Sequence, residues 1–126
     1  VKAGKDVNVA VQWIVPSGSW RQLAWVKLIL RDMDDENSFA EFKFDDSIRK
    51  FYSVTRPGVP TSPAVLHGTK SSVMATGPAS PILTTNFTFH FSPSAAGRRF
   101  AIEVSARNDT GKISAYSPAG TIRVKA

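Results

Sequence analysis

Seven of the ten acidic residues, Asp32, Asp34, Asp35, Glu36, Glu41, Asp45 and Asp46, fall within fifteen consecutive positions. Calcium takes several hard oxygen ligands, and carboxylates projecting from one loop can supply them. The spacing does not form an EF-hand. Asp32-x-Asp34-x-Glu36 is followed by Asn37 where that loop needs Gly, and Glu41 falls short of the closing bidentate position. If this chain holds calcium, Asp32 and Asp34 are the best ligands, with Asp109 from a second turn; otherwise the acids form a solvated loop and no cofactor is needed.

Aromatic side chains offer a second chemistry. Trp13, Trp20, Trp25, Tyr52 and Tyr116 present rings on which sugars stack. Trp20 stands in a polar turn beside Arg21 and Gln22, whereas Trp13 has the parity of a core residue. A carbohydrate-binding face would use Trp20, Trp25 and Tyr116. Edge packing or a domain interface is the competing role for the two tryptophans.

Catalysis finds little support, and the chain is expected not to be an enzyme. His67 lies in a stretch rich in Pro and Gly, and His90 alternates outward between Phe89 and Phe91. Two histidines alone do not make a multi-His metal site. No G-x-S-x-G motif appears for a nucleophile. Adjacent acids such as Asp34/Asp35 or Asp45/Asp46 do not give the opposed geometry of a glycosidase pair. Nucleic-acid binding would interleave basic and aromatic residues over one platform, and Arg98-Arg99-Phe100 is only a fragment of that pattern.

The elements that position these groups read as strands. Apolar and polar residues alternate with period two in Val7–Trp13 and again in Phe100–Ala106, which places successive side chains on opposite faces of a sheet. Strands are expected over Asp6–Val15, Leu23–Arg31, Phe39–Phe44, Ile82–Phe91, Arg99–Arg107 and Gly120–Lys125, with a short one near Ile48–Val54. Leu23–Arg31 has apolar residues of both parities and reads as a central strand with some outer cover. Residues 56–81 contain eight Pro or Gly; there only a brief edge strand around Lys70–Ala75 is expected. The sum is an all-β fold, a two-sheet antiparallel sandwich of about seven or eight strands, with the Val and Phe rows between the sheets.

Composition agrees with one domain. At 126 residues and 42% hydrophobic content, eight Phe among them, the chain can fill a single core. There is no Cys, so disulfides, thiolate metal sites and thiol catalysis are excluded together. No apolar run is long enough for a transmembrane helix, and membrane insertion is not expected. The net charge of +6 lies mostly in the second half, where residues 64–126 carry seven Lys/Arg against two Asp/Glu. Because those cations are scattered, they read as a solubilising surface before they read as a polyanion site.

Phe100–Lys112, followed by Ser117–Val124, resembles the last hairpin of immunoglobulin-like, fibronectin type III-like and cadherin-like modules. The resemblance covers about the last third of the chain, and the missing Cys pair departs from the disulfide-bonded immunoglobulin pattern. It implies an immunoglobulin-like module of an extracellular or cell-surface protein, commonly bacterial, that serves as spacer, adhesion element or enzyme accessory. On that reading residues 1–126 are one module excised from a longer multidomain protein. Its partners would be neighbouring domains, another surface protein or a polysaccharide.

Overall fold

The computed structural model describes residues 1–14, 23–35, 37–46, 48–54, 62–75, 82–108 and 117–126. These form nine strands, β1 (Val7–Ile14), β2 (Leu23–Asp32), β3 (Phe39–Asp45), β4 (Lys50–Ser53), β5 (Ala64–Leu66), β6 (Ser72–Met74), β7 (Ile82–Phe91), β8 (Arg99–Asn108) and β9 (Ser117–Arg123). One sheet has the order β1-β7-β5, with β6 also on β7; the other runs β4-β3-β2-β8-β9. Every pairing is antiparallel. The result is a two-sheet sandwich of immunoglobulin-like topology.

Period-two patterning decides which face each strand buries. On β7, Leu83, Phe87, Phe89 and Phe91 are sealed in the core, while Thr84, Asn86 and His90 turn outward. Thr85 shares the inner parity and is also fully buried; its hydroxyl donates to the Val11 carbonyl at 3.3 Å, which meets the cost of taking a polar group inside. Across the core stand Val26, Leu28 and Leu30 from β2, Phe42 and Phe44 from β3, and Phe100 from β8. Phe42 meets Phe89 at a centroid distance of 5.4 Å and Phe91 meets Phe100 at 4.9 Å, so aromatic contacts join the two sheets directly.

The central position expected for β2 holds, since β3 and β8 flank it and Ile29 on its outer face is buried. The breaker-rich stretch yields two short strands rather than one. β5 pairs with Phe89–Phe91 and β6 with Thr84–Asn86, so the two share one edge of β7 in succession. A strand of three residues carries almost no periodic signal, which is why β5 is invisible to patterning. The last strand begins earlier than expected. Ile102 pairs with Gly120 and Glu103 with Pro118, leaving Ala119 as the extra residue of a bulge, with Gly120 at φ +133°.

The segment before β1 crosses between the sheets. The Val1 N–H donates to the Arg123 carbonyl at 2.8 Å, Lys125 N–H donates to Val1 at 2.7 Å, and Gly4 N–H donates to Phe91 at 2.9 Å. Gly4 turns at φ +80°, a conformation that side-chain-bearing residues avoid. This route delivers Asp6 to the end of β1, one step beyond the Val7–Phe89 pair and therefore beside His90.

Candidate functional site

Two groups of chemistry-bearing side chains occupy the outer faces of the sandwich, one on each sheet. On the β1-β7-β5 sheet, His90 projects outward from the central strand. His67 follows β5, its N–H donating to the Thr88 carbonyl at 2.8 Å, which extends the ladder by one residue and turns its side chain to the same face. The His67 Nε2 and His90 Nδ1 atoms are hydrogen-bonded at 2.7 Å, and His67 Nε2 also lies 3.3 Å from Asp6 Oδ1. The three side chains come from the segment before β1, the centre of β7 and the connection after β5. Their candidate ligand atoms all lie within 4.8 Å of one another.

The support around this triad is specific. Lys70 Nζ donates to Asp6 Oδ2 at 2.7 Å, and this hydrogen bond is the main reason the Asp6 carboxyl is held below its ordinary value of 3.8. Partial burial opposes that shift; the positive charge of Lys70 and the nearby imidazoles reinforce it. The turn carrying His67 is fixed by Ser71, whose hydroxyl donates to the His67 carbonyl at 2.9 Å and accepts the Thr88 N–H at 3.0 Å. Gly68 permits the close passage of this turn, because a Cβ there would stand 3.2 Å from the Phe51 carbonyl oxygen. Sequence reading singled out both histidines but not their meeting, and it assigned Asp6 no role. The one available signal was the outward parity of Asp6, just before β1, and of His90 on β7, the strand that β1 pairs with.

The five-stranded sheet carries the second group. Lys27 and Lys43 stand directly opposite one another on β2 and β3, and Tyr52 of β4 pairs with Lys43. Both ammonium groups lie over the Trp25 ring, at 4.6 Å for Lys27 and 5.4 Å for Lys43, and Lys43 is 5.7 Å from the Tyr52 ring. Like charges facing each other across strands repel. Here the repulsion is offset by the ring faces and by Glu41, whose carboxylate is fully buried and lies 3.5 Å from Lys27 Nζ. Further along the same face, Arg31 reaches Glu103 at 3.5 Å.

Of the proposed sugar-binding residues, Trp25 is half-buried on this outer face, and Trp20 and Tyr116 lie outside the described residues. The flanks of their segments do converge. Leu23, where the chain enters β2 two residues before Trp25, is the register partner of Asn108, where β8 ends. Of the acidic candidates, Asp34 is exposed and Asp32 is buried at the other end of β2, while Asp109 lies outside the described residues. Asp32 and Asp34 are joined by a turn in which Asp32 Oδ1 accepts the Asp34 N–H at 2.9 Å. Asp32 Oδ2 accepts a 2.7 Å hydrogen bond from Arg98, so both oxygens are engaged in structure. This pair raises the Arg98 guanidinium above its ordinary value. Asn108, the residue before Asp109, pairs at the opposite end of β2, roughly 30 Å from Asp32 at the rise of an extended strand.

Among the described residues, the serine hydroxyl beside the histidines, that of Ser71, is spent on backbone groups, and no nucleophile–base pair is assembled there. An open groove lined by Phe44, Arg49, Lys50, Phe51, Gly68 and Val73 runs between the β4 edge and the β5–β6 connection. No helix among the described residues is long and apolar enough to cross a membrane. The chain matches no protein-family model, no curated protein and no solved structure.

Proposed function

We propose that this chain is a non-catalytic interaction module of an extracellular or cell-surface protein, with the outer face of its five-stranded sheet turned toward an anionic partner surface. The observation that carries this reading is the Lys27–Lys43 pair over Trp25, beside Tyr52. Glu41 neutralises Lys27, which leaves the Lys43 ammonium, held beside the Trp25 and Tyr52 rings, as the cation that an arriving carboxylate or sulfate meets. The setting outside the cell rests on the resemblance to immunoglobulin-like and fibronectin type III-like modules. The partner is a neighbouring domain of the same polypeptide or another surface protein.

Charge-matched variants test this. Lys43→Gln and Arg99→Gln each remove one cation, the first from the aromatic row and the second from the sheet's far side, where Arg99 pairs with Arg123. Titration with polyglutamate, followed by NMR, is expected to shift the Trp25 indole signal, and Lys43→Gln is expected to weaken binding more than Arg99→Gln does. Equal losses in the two variants would mean that only net charge matters and would overturn the reading.

Trp25, half-buried on the outer face beside Lys43 and Tyr52, favours a second reading, a carbohydrate-binding module using Trp20, Trp25 and Tyr116. Neutral polysaccharides should then quench tryptophan fluorescence, and Trp20→Ala should abolish the effect. An unchanged spectrum across a neutral glycan panel would eliminate it.

A further inference from the structure

We propose that Asp6, His67 and His90 form an open three-ligand site for a divalent transition-metal ion of the zinc type. The ligand atoms are Asp6 Oδ1, His67 Nε2 and His90 Nδ1, brought to one face from three separate stretches of the chain. Zinc binds imidazole nitrogen and carboxylate oxygen at ~2.0–2.2 Å, so neighbouring ligands of a tetrahedral site stand about 3.3–3.4 Å apart. The His67–Asp6 separation of 3.3 Å already has that value. The His67–His90 separation is 2.7 Å, a hydrogen bond that must open by roughly 0.6 Å to admit an ion. The three ligand atoms lie within 4.8 Å of one another, so Asp6 and His90 close by at most about 1.4 Å, within the reach of side-chain rotations. Two imidazoles with one carboxylate suit zinc, copper or nickel and poorly suit calcium or magnesium, which prefer all-oxygen shells.

The surroundings are those of a ligand set held in place. Ser71 fixes the backbone of His67, Lys70 fixes the second oxygen of Asp6, and His90 sits on the most heavily paired strand of its sheet. The site is partly open, with the His67 side chain 30% and the Asp6 side chain 39% exposed, so water or a partner's side chain can complete the coordination. Coordination requires both facing nitrogens to be unprotonated. One of them carries the proton of the hydrogen bond, and that nitrogen must give it up before it can coordinate. The ion would tie the segment before β1 to the connection after β5 across β7.

The test uses the untagged 126-residue chain, stripped with chelator and titrated with zinc chloride by calorimetry, with histidine ring ¹⁵N shifts followed by NMR. The expected result is one zinc per chain, with His67 coordinated through Nε2 and His90 through Nδ1 in the nitrogen shifts, and a higher melting temperature. His67→Gln and His90→Gln should each weaken binding about tenfold or more, while Asp34→Asn leaves it unchanged. Absence of stoichiometric heat at millimolar zinc, or ring shifts that do not change, would overturn the proposal with the wild-type chain alone, whatever the variants do. Full affinity retained in both folded Gln variants would overturn it equally.

Discussion

Lys27→Met tests how the outer face of the five-stranded sheet is held together. The Lys27 side chain is 19% exposed, and its ammonium serves two groups, the fully buried Glu41 carboxylate at 3.5 Å and the Trp25 ring at 4.6 Å. Removing one partner of a buried ion pair costs about 3–5 kcal/mol, chiefly because the remaining charge is stranded. Two features reduce that figure here: the separation is long for an ion pair, and Glu41 makes a further interaction besides the one with Lys27. An ammonium over an indole face contributes ~0.5–1 kcal/mol at a partly exposed site, and the methionine thioether retains packing on the ring. The expected net loss is about 2–3 kcal/mol, which lowers the urea midpoint by roughly 1–2 M at the slope typical of a small domain. Neutralising the stranded acid should return part of it, so Lys27→Met/Glu41→Gln is expected to recover at least ~1 kcal/mol over the single variant. Urea unfolding followed by tryptophan fluorescence measures all of these with one signal. A loss below ~0.5 kcal/mol at unchanged slope, or a double variant less stable than the single, would refute the claim that Lys27 neutralises Glu41.

Phe89 contacts Phe42 across the sheets and Phe91 along its own strand. Phe89→Ala should cost about 3–5 kcal/mol by denaturation, whereas Val65→Ala at an exposed position of the same sheet should stay within about 0.5 kcal/mol; equal effects would place the core elsewhere. In the metal-free protein the Asp6 carboxyl should titrate below 3.8, and Lys70→Ala should move the midpoint up toward that value. Because the folded value is depressed, stabilisation from this pair is present above the ordinary carboxylate range and fades as pH falls through the depressed midpoint. Carboxyl ¹³C shifts across an acid titration read it directly, and an unmoved Asp6 midpoint in Lys70→Ala would contradict the assignment.

The amino-acid sequence by itself determined the two layers. A residue on a strand faces the core or the solvent by parity alone, so Val26, Leu28, Leu30, Phe42, Phe87 and Phe89 were legible as core before any partner strand was known. The same rule put His90 and Lys43 outside. Residues left unassigned by that rule were the ones whose neighbours lie far along the chain. Thr85 is polar yet buried because the Val11 carbonyl reaches it, and Glu41 is acidic yet buried because Lys27 lies over it. Asp32 reads as a loop carboxylate free for a cation, and the fold instead engages both of its oxygens.

Only the tertiary structure decided the meeting of Asp6, His67 and His90. Alternation specifies the face on which a side chain emerges; strand order and register specify what stands beside it there. Strand order depends on packing of the whole core, and β5, which delivers His67, is too short to announce itself. Sixty-one positions separate Asp6 from His67, and neither the acid nor the imidazole carries a local mark of the other. Parity is a property of each strand, whereas a three-residue site is a property of how strands are assembled.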